Sequence, residues 1–186
     1  MHTKAKILHG DIKSANVLIK DKFNICKLCD FGVSLPLDNE GFVDFKANPN
    51  SRYVGTDLWT APEALTDDDV PIISYKADIF SFGLVIYECI ALIPPHTWSL
   101  SVDKEKSVIC VDDLSDDEVL PEEEDNIALL FGTRPPLPEA DCLTSDYNII
   151  VEIFFICTHN DPENRPAASV LHKLIEESAK GQEATK

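Results

Sequence analysis

The stretch that decides the fold is His9-Gly10-Asp11-Ile12-Lys13-Ser14-Ala15-Asn16, followed by the apolar run Val17-Leu18-Ile19 and, one short hairpin later, by Asp30-Phe31-Gly32. Val17-Leu18-Ile19 and Asn24 to Cys29 are β-rich runs separated by the polar Lys20-Asp21-Lys22, a pattern that predicts two strands and a tight turn. Such a hairpin holds the Asp11 loop beside the Asp30 loop. Either Asp alone reads as a helix or turn cap. The joint pattern reverses that reading and marks both as candidate functional residues.

Working outward, Thr3 to Leu8 reads as the last turns of a helix that feeds the loop. From Val33 to Thr60 periodicity is lost, with Pro36, Gly41, Pro49 and Gly55 as punctuation, and irregular segments of this length inside a compact domain are usually functional. Tyr75 to Leu92 is the longest helical pattern, apolar on most sides and closed by Pro94-Pro95. A helix apolar nearly all round is buried, so this one is expected to be the core pillar. Further helices are expected around Asn126 to Phe131, over Tyr147 to Cys157 and over Ala167 to Ser178. Gly132-Thr133-Arg134-Pro135-Pro136 and Asn160 to Pro166 serve as connectors. There is no internal repeat, and the pattern predicts one domain over 1–178 with a disordered tail at 179–186.

The length of 186 residues and the 44% hydrophobic content suffice for one core and exclude a wholly disordered chain. No run approaches eighteen apolar residues and no signal-peptide core follows Met1, so a cytoplasmic or nuclear location is expected. The formal charge of −17 argues against nucleic acid or an anionic membrane as partner, both of which are bound through Lys and Arg. Much of that charge is local: eleven acids lie between Asp103 and Asp125, against Lys104 and Lys106. Such a block reads as a solvated insert. The six cysteines show no repeated spacing. Cys26-Lys27-Leu28-Cys29 has a C-x-x-C form, but it lacks a second pair, and residues three apart on a strand face opposite ways. Free thiols are expected.

With Asp11, Asn16, Asp30-Phe31-Gly32 and Ala61-Pro62-Glu63 in this order, the chain resembles the C-terminal lobe of a eukaryotic protein kinase over nearly its whole length. Within that family it is similar to relatives of the MAP kinase kinases. The resemblance implies a mainly α fold with a small β-hairpin at the catalytic cleft, ATP and Mg²⁺ as cofactors, and a protein substrate. It makes Asp11 the group that accepts or orients the proton of the substrate hydroxyl, and Lys13 the cation near the γ-phosphate. Asn16 and Asp30 become Mg²⁺ ligands, since that ion favours hard oxygens. Lys13, Ser14, Asn16, Leu18, Cys29 and Asp30 become the nucleotide-binding residues. Thr56 and Trp59 fall in the segment that receives the substrate peptide, and Thr56 with Lys13 argues for Ser/Thr hydroxyls, with Tyr left open. His9, Phe31 and Gly32 are implied as packing and loop residues, Glu63 and Arg165 as a structural ion pair, and Asp78 as the acceptor that shapes the catalytic loop.

Three features depart from the family pattern. Gly10 stands where most kinases have the Arg that binds a loop phosphate, so phosphorylation at Ser34, Ser51 or Thr56 is not expected to be the main switch. The Gly-rich loop, the strand Lys and the helix Glu of a complete kinase have no match, so an absent N-terminal lobe and an inactive isolated chain are expected, and a non-catalytic kinase-derived binding module is the alternative. The branch most resembled carries a C-terminal PDZ-domain ligand, yet this chain ends Glu183-Ala184-Thr185-Lys186, so PDZ binding is not expected. A mitotic or MAP-kinase-pathway role follows from the resemblance alone.

Overall fold

The computed structural model describes residues 1–66, 68, 71–97, 127–138 and 147–183. The acidic insert, Cys110, Cys142 and the last three residues lie outside them. The chain does not begin in a helix. Residues 2–5 make a turn, closed by Ala5 N–H to Met1 O at 3.1 Å, and Lys6 has a left-handed φ of 49° that stops helical continuation. It then enters β1 (Ile7–Leu8).

The expected hairpin forms. β2 (Val17–Lys20) pairs antiparallel with β3 (Ile25–Leu28), Val17 opposite Leu28 and Lys20 opposite Ile25. A second antiparallel ladder joins β1 to β4 (Leu35–Pro36), Leu8 opposite Leu35. Two corrections follow. The fold is mixed α/β rather than mainly α, because antiparallel strands occupy residues 7–36. The expectation of an absent N-terminal lobe is overturned by the same region, since β structure of the kind found in a kinase N-terminal lobe is present there. The physical reason for the miss is short length: two-residue strands carry no period, and their pairing partner lies far along the chain.

The pillar helix is α1 (Lys76–Ala91), ended by Leu92 in a left-handed conformation. Ala77, Phe80, Leu84 and Tyr87 join Leu8, Leu35, Trp59, Ile73 and Phe154 in the main core. Ile79 faces a second cluster with Ile153, Cys157 and Leu171. Two helices supply the far side of that packing, α2 (Asn148–Cys157) and α3 (Ala168–Glu183). The connector at 132–136 is tied to the end of α2 by Arg134, whose Nε donates to Thr158 Oγ1 at 2.7 Å and whose Nη2 donates to Phe155 O at 2.8 Å. The last carbonyls of a helix lack intrahelical partners, and a guanidinium satisfies them. Among the described residues no helix is long and apolar enough to cross a membrane.

Candidate active site

The loop from His9 to Asn16 leaves β1 and is shaped from below by α1. Asp78, in the first turn of α1 and only 2% exposed, accepts the His9 N–H at 2.8 Å on Oδ2 and the Gly10 N–H at 3.0 Å on Oδ1. His2 Nε2 lies 2.7 Å from the same Oδ2. A buried carboxylate is tolerated only with such partners. The fully buried His9 accepts the Asp11 N–H on Nδ1 at 3.3 Å, which leaves the ring hydrogen on Nε2 to be donated to Cys29 O at 3.0 Å. His9 thereby links the loop to the end of the hairpin. Its ring packs on Phe31, with centroids 4.8 Å apart.

Four of the sequence-derived residues form one bonded set. The Thr56 hydroxyl donates to Asp11 Oδ1 at 2.6 Å and accepts from Lys13 Nζ at 2.7 Å. Lys13 Nζ is also 3.1 Å from Asp11 Oδ2. Asn16 Nδ2 donates to Asp11 O at 2.8 Å and to Asp11 Oδ2 at 3.0 Å. Burial on its own would push the Asp11 carboxyl up. The bonds from Thr56 and Lys13, the Lys13 charge and the Asn16 amide outweigh it and hold Asp11 below the usual carboxylate range.

Asp30 stands outside that set. It is exposed, has a left-handed φ of 62°, and accepts only the Gly32 N–H, at 3.3 Å, among the described residues. Its neighbour Cys29 donates N–H to Asn16 O at 3.0 Å, which brings Asp30 to the same end of the site. Leu18 is exposed on β2, and the half-buried Cys29 directs Sγ to Asn16 O at 3.4 Å. Ser14 takes a different direction from the expected one, donating Oγ to Glu88 Oε1 at 2.6 Å.

Two uncommitted hard oxygens suit Mg²⁺. The Asp30 carboxylate has one long bond, and no hydrogen bond among the described residues reaches Asn16 Oδ1. An ion that keeps several waters needs no more protein ligands than these. No group of three or more His, Cys, Asp or Glu able to hold a metal occurs among the described residues.

Trp59 and Thr56 sit at the two ends of one short turn over Asp57–Trp59. The buried Trp59 donates Nε1–H to Glu88 Oε2 at 2.8 Å. Burial pushes the Glu88 carboxyl up, and the bonds from Ser14 and Trp59 pull against it. Farther from the loop, Arg165 holds Glu63 through Nη1–Oε1 at 2.6 Å and Nη2–Oε2 at 2.9 Å.

Sequence reasoning missed Glu88, Tyr53 and His2. For Glu88 a signal existed: an isolated acid in an otherwise apolar helix has to find partners when that helix is buried. Nothing local marked Tyr53 or His2. A concavity of about 660 Å³ lies among His2, Ile12, Tyr75, Phe82 and Leu171, and none of Asp11, Lys13, Asn16 or Asp30 lines it. The bonded polar set therefore marks the site better than cavity size does.

The description of the protein kinase domain matches residues 1–175. The chain is 41% identical over 176 residues to the lymphokine-activated killer T-cell-originated protein kinase of Homo sapiens, covering 95% of this chain and 51% of that protein. It is 31% identical over 177 residues to the dual specificity protein kinase shkD of Dictyostelium discoideum, covering 95% of this chain and 19% of the relative. With the TGF-beta receptor type-2 of Mus musculus it shares 32% over 182 residues, covering 94% and 30%. The chain thus spans about half, or less, of the length of these curated relatives.

Proposed function

The chain belongs to the protein kinase domain family, and from that premise we propose that it performs ATP-dependent phosphoryl transfer to Ser or Thr hydroxyls of protein substrates. The observation that carries the reading is the Thr56 hydroxyl bonded at once to Asp11 and Lys13, at 2.6 and 2.7 Å.

Phosphoryl transfer passes through a loose transition state, so the protein contributes positioning and charge rather than covalent chemistry. The depressed Asp11 carboxyl suits that requirement. It is ionised at neutral pH and too weak a base to remove a hydroxyl proton early, so its task is to orient the attacking hydroxyl and to accept the proton late. Lys13 stands beside it as the cation that offsets charge on the transferred group. Asn16 and Asp30 would hold the metal through the oxygens that carry no short hydrogen bond among the described residues. Bound Mg²⁺ supplies charge neutralisation on the phosphates. The β2–β3 hairpin, through Leu18 and Cys29, forms one wall for the nucleotide. Ser14 is committed to Glu88, so its part in nucleotide binding is limited to its backbone.

The test is transfer of labelled γ-phosphate from Mg-ATP to Ser, Thr and Tyr peptides by this chain and its Asp11→Asn variant. The Tyr arm is included because one relative is named a dual specificity kinase. Loss of the Asp11 carboxylate is expected to lower kcat by about 10²–10⁴. Wild-type transfer that survives the substitution undiminished overturns the assignment.

A further inference from the structure

Tyr53 lies against two glycines. Gly10, in the catalytic loop, has φ of +81°, a conformation that suits glycine; a Cβ there would stand 3.3 Å from Val33 O and 4.0 Å from Tyr53 Cε2. At Gly55, immediately before Thr56, a Cβ would meet Tyr53 Cε1 at 2.7 Å, Thr60 Oγ1 at 2.8 Å and Gly10 O at 3.1 Å. One ring therefore touches both the loop that carries Asp11 and the segment that carries Thr56. It also packs on the main core.

The same segment carries two further ties: Thr60 Oγ1 donates to Thr56 O at 3.0 Å, and the Thr56 hydroxyl donates to Asp11 Oδ1 at 2.6 Å. Burial pushes the Tyr53 hydroxyl far above its usual range, and the charges of Asp78 and Glu63 add to this, so the ring stays neutral throughout the physiological range.

We propose that Tyr53 is a positioning residue, an aromatic wedge between Gly10 and Gly55 that holds Thr56 against Asp11 without a phosphate on the segment. The inference rests on the phosphoryl-transfer reading for its catalytic consequence, though not for its structural one. The space beside Gly10 is filled by a ring from the segment itself, so packing joins the two loops alongside the Thr56–Asp11 hydrogen bond.

The experiment pairs hydrogen–deuterium exchange of the 54–60 amides with initial-rate kinetics, on the full chain and its Tyr53→Ala, Tyr53→Phe and Gly55→Ala variants. Tyr53→Ala is expected to speed 54–60 exchange at least about tenfold, leave α1 unchanged and lower kcat at least about tenfold, since release of the segment costs one tenfold step or more in population. Gly55→Ala removes no atom but displaces the ring, and is expected to do the same. Tyr53→Phe keeps the wedge and is expected to stay within about threefold of wild type. The proposal is overturned if 54–60 exchange stays within about twofold in both alanine variants, or if α1 speeds up equally, which marks general packing. If wild type transfers no phosphate at all, the catalytic reading fails, and the wedge is still decided by exchange.

Discussion

Removing Glu63 is expected to be among the most destabilising single changes in the described chain, and the geometry sets its size. The Arg165 side chain is fully buried, and all five of its N–H groups are used: Nε to His159 O at 2.7 Å, Nη1 to Glu63 and to Lys76 O at 3.1 Å, Nη2 to Glu63 and to Asn160 O at 3.1 Å. The guanidinium also lies 4.9 Å from the Phe80 ring centroid. Glu63→Ala deletes two of those contacts and leaves a buried charge without a counterion, which costs about 3–5 kcal/mol. With a urea m-value of about 2 kcal/mol/M, the unfolding midpoint is expected to fall by roughly 1.5–2.5 M with an unchanged slope. A fall of less than about 0.5 M, the range of a solvated surface pair, refutes the buried-charge account. Replacing both partners supplies the control: Glu63→Leu with Arg165→Met removes the charge as well as its partner, and is expected to cost less than Glu63→Ala alone.

The two carboxylates of the site have opposite pH signatures. The raised Glu88 binds a proton more readily folded than unfolded, so its contribution is full at low pH and is lost as pH rises through its folded value; Glu88→Gln is expected to remove that slope from melting temperature against pH. Asp11 is depressed, so its contribution is present above its unfolded value and lost as pH falls through the lower folded one, and Asp11→Asn is expected to flatten the acid limb of the same curve. Burial pushes the Cys157 thiol up to about 12, whereas Cys26 is exposed; alkylation followed by peptide mapping is expected to label Cys26 in the native protein and Cys157 only in urea.

The residues closest together in sequence were the most legible. The Val17 and Asn24 runs announced their hairpin, and the apolar stretch at Tyr75 to Leu92 announced α1, because both signals depend on local period and turn chemistry. The β1–β4 ladder left no such mark. Its two strands are separated by the whole catalytic loop and hairpin, so only the folded chain reveals that Leu8 faces Leu35. Ser14 illustrates a second kind of blindness. The motif gave its position, but its hydroxyl direction is decided by Glu88, which lies 74 residues away and could not be paired with it from spacing. Thr56 lies 45 residues from Asp11, so no local pattern pairs the two, and only the family resemblance brings them together before the folded chain is seen.

Several long-range bonds of the site converge on one element. Lys76, Asp78, Ser81 and Glu88 all belong to α1. The Lys76 carbonyl takes Arg165, Asp78 takes the loop backbone, Ser81 Oγ donates to Trp59 O at 2.8 Å, and Glu88 takes Ser14 and Trp59. Asp78 and Glu88 are ten residues apart in a helix rising 1.5 Å per residue, so they are separated by roughly 15 Å along its axis. Asp78 holds the start of the Asp11 loop at the first point, and Glu88 holds both Ser14 of that loop and Trp59 of the Thr56 segment at the second. Loop and segment are therefore fastened to one helix, whose length cannot vary without breaking its own hydrogen bonds. That accounts for a buried core helix carrying two carboxylates, each of which costs free energy to desolvate. The acids hold the loop and the segment on one buried helix, and the core around Phe80, Leu84 and Tyr87 supplies the stability that offsets them.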